Sequence, residues 1–150
     1  MSRLVFLTYI PRSGSTLLAR LLSEIDGVAV SLEADLPDGL LRSEYVLGQN
    51  DDAAAFIHGV LQDEKLSAWQ TDRDRLRERL SGLPRPAGFP NWFPVVLDAT
   101  FGSEPDAIVV KNADYILHFD ALRRAFPDSR FLHIVRDPRA IYASQRQTRD

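Results

Sequence analysis

The spacing of apolar and polar positions changes twice before residue 31. Leu4 to Ile10 is an apolar run in which only Thr8 is clearly polar, the pattern of a strand covered on both faces. Arg12-Ser13-Gly14 interrupts it. From Ser15 onward Leu17, Leu18, Leu21, Leu22 and Ile25 fall on one helical stripe, and Gly27 ends it. Val28-Ala29-Val30 then predicts a short second strand that runs into Ser31-Leu32-Glu33. Strand, loop, helix and strand in this order form the unit of a parallel α/β sheet.

The middle of the chain is less regular. Asp51 to Leu61 reads as a helix with Ala54, Ile57 and Leu61 inward. Thr71-Asp72-Arg73-Asp74 resembles a capping box ahead of Leu76 and Leu80, with a stop at Gly82. Charges of both signs from Asp72 to Arg79 mark a solvated helix face. Leu83 to Pro94 carries four prolines together with Phe89, Trp92 and Phe93. It reads as a loop, an aromatic-anchored connector in preference to a pocket wall. Val95-Val96-Leu97 adds a short strand.

A regular pattern returns at Ala107-Ile108-Val109-Val110-Lys111, a buried strand ending in a cation. Asp114 is placed to cap a helix whose Ile116, Phe119, Leu122 and Phe126 face the core, with Pro127 as its stop. Arg130 to Val135 predicts another strand, Arg136 and Asp137 sit at its carboxyl end, and Pro138 suits the first turn of a closing helix. His58 and His133 are read as packing residues and His118 as structural.

Composition narrows the chemistry. At 150 residues the chain is one domain by length. A net charge of −3 gives no broad basic surface for nucleic acid, so any anion site must be local. The lack of cysteine excludes disulfides, thiolate metal sites and cysteine nucleophiles. The apolar run at Leu4–Ile10 is too short for a membrane span. A signal peptide there would consume the Pro11–Thr16 motif, so the segment is read as a core strand of a soluble, cytoplasmic protein.

Two segments carry anion-binding chemistry. At Pro11-Arg12-Ser13-Gly14-Ser15-Thr16 a strand turns into a helix, which aims unpaired N–H groups and the positive end of the helix dipole at one point. Gly14 permits close backbone approach, Ser13, Ser15 and Thr16 add hydroxyls, and Arg12 adds a permanent planar cation. A serine-rich helix cap that binds nothing has the same local pattern. The nucleoside-triphosphate loop Gly-x-x-x-x-Gly-Lys-Ser/Thr is not met, because no lysine follows Gly14, which disfavours a magnesium-dependent phosphotransferase. The second segment is Arg136-Asp137-Pro138-Arg139-Ala140-Ile141-Tyr142-Ala143-Ser144. Arg136 ends a strand, where open parallel sheets place ligands, and Ser144 lies two helical turns beyond Asp137 on the same face. Arg139 points elsewhere. Two anion sites at two strand ends suit a ligand with two separated anionic groups.

With these residues the sequence resembles the sulfotransferases that use 3′-phosphoadenosine 5′-phosphosulfate (PAPS). Pro11–Leu18 is similar to their 5′-phosphosulfate loop, and Arg136–Ser144 to their 3′-phosphate motif, with Phe126–Val135 similar to the approach to it. The resemblance covers residues 3–33 and 107–146 well and the middle poorly. It implies a P-loop-like three-layer fold, a central parallel sheet flanked by helices, and sulfuryl transfer from PAPS to a hydroxyl or amine without a metal. Arg12, Ser13, Gly14, Ser15 and Thr16 would hold the 5′-phosphosulfate, and Arg136 and Ser144 the 3′-phosphate. Many members carry lysine at the position of Arg12; an arginine there stabilises charge and does not donate a proton. The resemblance also points to Glu33 as the base, with Asp35 as a rival, and to Lys111 as a contact to the sulfonate. No histidine occupies Asn112-Ala113-Asp114, where other branches place one.

Family domains continue further, so residues 1–150 are expected to be an N-terminal portion with both nucleotide motifs and a sheet incomplete at the C-terminus. An open sheet edge favours association into an oligomer, or instability. The acceptor, a small molecule or a carbohydrate or lipid hydroxyl, is left open by residues 35–94. The rival readings are a non-catalytic fragment that grips 3′-phosphoadenosine nucleotides and, more remotely, a phosphotransferase.

Overall fold

Strand β1 (Arg3–Tyr9) is central to a four-stranded, wholly parallel sheet of order β2-β3-β1-β4, with β2 at Val28–Val30, β3 at Ala107–Lys111 and β4 at Arg130–Ile134. The structure is a computed structural model and describes residues 2–31, 33, 58 and 69–147. The helix expected from 51 to 61 therefore lies, apart from His58, outside the described residues, as does Asp35. Leu4 pairs with Ile108 and Phe6 with Val110 in β3, while Val5 pairs with Arg130 in β4. Parallel pairing with an apolar residue at nearly every β1 position requires cover on both faces.

Helix α1 (Ser15–Ser23) supplies one cover: Leu18 and Leu22 pack against Leu7, Tyr9 and Val109. The expected apolar stripe is only half used. Leu17, Leu21 and Ile25 remain 64%, 58% and 52% exposed. Leu18 and Leu22 lie one turn apart on the sheet side. Leu17, Leu21 and Ile25 form the parallel row about 100° around the helix, beyond reach of the sheet.

The opposite face carries the larger core. Helix α2 (Arg73–Ser81) is capped by Asp72, whose carboxylate accepts from the N–H groups of Asp74 and Arg75, and Gly82 closes it, as the sequence predicts. Leu76 and Leu80 are fully buried. The mixed charges on its outer face are partly engaged: Arg75 and Arg79 both reach Asp98 of the next helix, at 3.2 and 2.8 Å. The arginines are about half in solvent although the shared Asp98 carboxylate is mostly buried, and the pairs contribute modestly, on the order of 0.2–1 kcal/mol each.

That next helix, α3 (Phe89–Phe101), overturns two expectations. Leu83–Pro94 is not all loop, and Val95-Val96-Leu97 is helix and not strand. Phe89, Trp92, Phe93, Val96 and Leu97 follow the three-and-four spacing of a helix face and are all buried. Pro90 falls in the first turn, where its missing N–H costs nothing. Pro94 removes one interior hydrogen bond, about 3 kcal/mol. Burial of the five residues at roughly 1.5–3 kcal/mol each outweighs it. Proline content reads as loop only until the aromatic spacing is counted.

After β3 the single helix expected from Asp114 is split. Asn112, and not Asp114, accepts the capping bond, from the Asp114 N–H at 2.8 Å, and opens a 3-10 turn at Ala113–Ile116. Helix α4 (Phe119–Ala125) follows, with His118 in its N-cap position. The split turns Ile116 outward, 47% exposed, and puts Tyr115 into the core instead. Tyr115 meets Phe6 edge-on, and burial drives its hydroxyl pKa up. Leu122 is buried as expected, and Phe126 closes against Phe6, Phe89 and Phe93. Helix α5 (Pro138–Arg146) begins on Asp137 and Pro138 as predicted.

The packing role assigned to His58 and His133 is not met, since both are exposed. His133 lies on β4 at the sheet edge, where one flank has no neighbouring strand among the described residues, and its Nδ1 hydrogen-bonds the buried Thr8 hydroxyl at 2.7 Å. The molecule is thus a three-layer α/β fold, with α1 on one face and the 3-10 turn and α2, α3 and α4 on the other. Among the described residues no helix is long and apolar enough to cross a membrane.

Candidate functional site

Parallel strands deliver their carboxyl ends to one edge, and here four chemistry-bearing segments arrive together. The Ile10–Gly14 turn follows β1, Glu33 follows β2, Asn112 follows β3 and Arg136 follows β4. This is the edge where open α/β sheets bind ligands.

The β1–α1 turn is closed by the Ser13 N–H on the Ile10 carbonyl at 3.1 Å. Gly14 has φ +97° and is the N-cap of α1, and no side chain caps the helix there. The first N–H groups of α1 are thus open to an anion. A Cβ on Gly14 would meet no atom within 4 Å, so glycine is required there by its backbone angle and not by crowding. Among the described residues the buried Ser13 hydroxyl has no hydrogen-bond partner. Such an orphan is uncommon in a native structure, but Ser13 lines neither cleft at this edge, so the hydroxyl contact expected of it is not seen.

Arg12 also occupies the left-handed region, with φ 72°, a conformation that costs a non-glycine residue about 1–2 kcal/mol. It is held by two contacts from the far end of the chain. Arg136 Nη1 donates to the Arg12 carbonyl at 2.9 Å, and Arg12 Nε donates to Ser144 Oγ at 3.1 Å. Arg12, Gly14, Ser15, Thr16, Arg136 and Ser144 line one cleft of about 240 Å³. The two sequence-predicted anion segments therefore form one site, joined through Arg12. Arg139 stands apart, 92% exposed and paired with Asp137 at 2.7 Å. That hydrogen bond, followed by the Arg139 N–H, holds the Asp137 carboxyl below its ordinary range.

A second cleft, of about 380 Å³, adjoins the first across Arg12, Ser15 and Thr16 and reaches Tyr9, Glu33, Asn112 and Asp114. Glu33 Oε1 accepts from Lys111 Nζ at 2.7 Å. Lys111 is nearly buried, its ammonium 4.8 Å from the centre of the Tyr9 ring, while the Glu33 side chain is 41% exposed. Ser31 fixes this corner: its N–H donates to the Val109 carbonyl, and its hydroxyl accepts from the Lys111 N–H at 3.2 Å.

Apart from Asp35, which lies outside the described residues, each residue singled out in the sequence for anion binding or proton transfer thus sits at this edge. Sequence reading missed Tyr9, Asn112 and Asp114 as cleft residues. The signal for them was available in their position, because residues at or just past a parallel strand's end face the ligand edge. Among the described residues no group of three metal-ligating side chains stands together.

No curated protein matches the chain. A family model does, over residues 5–150, and its description is that of the sulfotransferase family. With that match spanning nearly the whole sequence, and both anion segments meeting on one α/β scaffold, the chain belongs to the sulfotransferase family.

Proposed function

We propose that the protein is a PAPS-dependent sulfotransferase acting on a hydroxyl (or amine) acceptor. The observation that carries this reading is the convergence of Arg12, Arg136 and Ser144 on one cleft at an uncapped helix N-terminus. Its neighbour shares Arg12, Ser15 and Thr16 and holds a carboxylate. One cleft suits the doubly anionic nucleotide, and the other suits the acceptor.

The residues fit the donor. The first N–H groups of α1, with Ser15 and Thr16 at the cleft wall, suit the 5′-phosphosulfate. Arg136 and Ser144 provide a cation and a hydroxyl for the 3′-phosphate. Bound PAPS supplies the sulfuryl group. Glu33 takes the acceptor's proton as the acceptor oxygen bonds to sulfur. Arg12 meets the negative charge left on the 5′-phosphate as its bond to sulfur breaks, which leaves 3′,5′-adenosine bisphosphate. Lys111 holds Glu33 at the cleft edge, and a contact from it to a sulfonate oxygen is part of the same proposal. A reaction of this kind needs no metal. The acceptor is a small molecule or a carbohydrate or lipid hydroxyl, and a chain without cysteine suits the cytoplasm.

Calorimetry with 3′,5′-adenosine bisphosphate against magnesium ATP tests the donor assignment. Preference for ATP overturns it. Transfer of labelled sulfate from PAPS to an acceptor panel separates an enzyme from a protein that only grips the nucleotide.

A further inference from the structure

The acceptor cleft has an uneven charge balance once its ion pairs are assigned. Three charged side chains line it among the described residues: Arg12, Glu33 and Asp114. Arg12 is tied to Ser144 and faces the anion cleft as well. Glu33 is paired with Lys111 at 2.7 Å. Asp114 differs. Its backbone is fully employed, the N–H on Asn112 Oδ1 at 2.8 Å and the carbonyl accepting from Leu117 at 2.9 Å. Its carboxylate makes no ion pair or hydrogen bond with a described residue. The capping bond from Asn112 fixes the 3-10 turn and so fixes where this carboxylate stands, partly buried at the cleft wall.

We infer that Asp114 selects the acceptor, and that the acceptor carries a protonated amine close to the hydroxyl that is sulfated, as in an amino alcohol or amino sugar. This rests on the reading of the chain as a sulfotransferase. With the donor in place, the charge of Arg12 is met by phosphosulfate oxygens and that of Lys111 by Glu33. Among the described residues the wall offered to the acceptor is then anionic. A cationic acceptor gains a charge-assisted hydrogen bond to Asp114, which is stronger than a neutral one. An acceptor bearing carboxylates or sulfates meets like charge, and such repulsion adds to the discrimination that the attraction supplies. The small volume, about 380 Å³, puts one sugar-sized molecule within reach of both Glu33 and Asp114.

The test compares methyl glucosaminide, its N-acetylated counterpart and methyl glucuronide, both as substrates with PAPS and as ligands of the protein loaded with 3′,5′-adenosine bisphosphate. The amine is expected to lead the N-acetyl sugar by about tenfold in kcat/KM and in affinity, with the glucuronide last. Asp114→Asn should close the gap between amine and N-acetyl sugar and leave nucleotide affinity unchanged. Asp114→Lys should reverse the order in favour of the glucuronide. The inference is overturned if Asp114→Asn keeps the amine preference, if the glucuronide leads in the unmodified protein, or if the glucosaminide does not bind the loaded protein. Failure of the sulfotransferase reading is seen separately, as an absence of binding by 3′,5′-adenosine bisphosphate itself.

Discussion

Arg12 donates from Nε to the Ser144 hydroxyl at 3.1 Å, across 132 residues of sequence. With the bond from Arg136 to the Arg12 carbonyl, it ties the β1–α1 turn to the β4–α5 segment. The two contacts offset a left-handed backbone at Arg12 that would otherwise relax. The cleft proposed for the nucleotide is thus preorganised by the same groups that are proposed to bind the ligand.

Removing either distal group should weaken nucleotide binding, to different extents. Ser144→Ala deletes one hydroxyl contact to the ligand and one to Arg12, and a loss of about tenfold in affinity for 3′,5′-adenosine bisphosphate is expected. Arg136→Ala deletes a charged donor and also releases the Arg12 carbonyl, so a loss nearer a hundredfold is expected. Calorimetry measures both. Equal small effects would mean that Arg136 does not touch the nucleotide.

Glu33 and Lys111 should separate chemistry from binding. Glu33→Gln keeps the shape of the side chain and removes its capacity to take a proton. Loss of kcat by about 10²–10⁴ is expected with nucleotide affinity unchanged. Lys111→Met leaves Glu33 without its partner and removes a cation from the sulfonate side, so kcat should fall as well. Full turnover in Glu33→Gln would remove Glu33 from the mechanism.

The positions of these residues were legible in the sequence because they stand at or just past strand ends, while the roles of Glu33 and Lys111 were implied by the family resemblance. Leu4–Ile10, Ala107–Lys111 and Arg130–Ile134 announce themselves, and the parallel sheet then brings Arg12, Lys111 and Arg136 to one edge. Their mutual contacts were not legible. No spacing rule indicates that Arg12 bonds to Ser144 or that Lys111 pairs with Glu33, since both depend on strand order and register. Helix α3 was hidden by its prolines, and the stop after Ile116 by Asn112, which competes with Asp114 for the capping position. Leu17, Leu21 and Ile25 have the spacing of core residues and stay exposed, because a short helix on a sheet buries one row of side chains and not two.

The aromatic seam of α3 should dominate stability. Trp92 is fully buried, edge-on to Phe89 and Phe93. Trp92→Ala is expected to cost about 3–5 kcal/mol, a large part of the stability of a domain this size. Asp98→Ala frees Arg75 and Arg79 at the same helix pair and should cost far less, about 1 kcal/mol, because both arginines are about half in solvent. Chemical denaturation of the two variants gives the comparison. A Trp92 effect as small as that of Asp98 would mean that α3 is not part of the cooperative core.

Asp137 links the start of α5 to pH. Its carboxylate accepts from the Arg139 side chain and N–H, and these bonds lower its pKa below that of the unfolded chain. A carboxyl with a depressed native pKa contributes stability that is complete above its unfolded value, near 3.9 for an ordinary aspartate. The contribution disappears as pH falls through the lower native value. Asp137→Ala should therefore lower Tm at pH 7, and the gap to the unmodified protein should narrow as pH is taken below about 4. Asp137→Asn retains a capping oxygen and loses only the charge, so its Tm should lie between the two at pH 7. Because the site is exposed, the effect should shrink in high salt. Thermal melts across pH 3–7 decide it: a gap that does not narrow toward acid would mean that the carboxylate charge plays no part in holding α5.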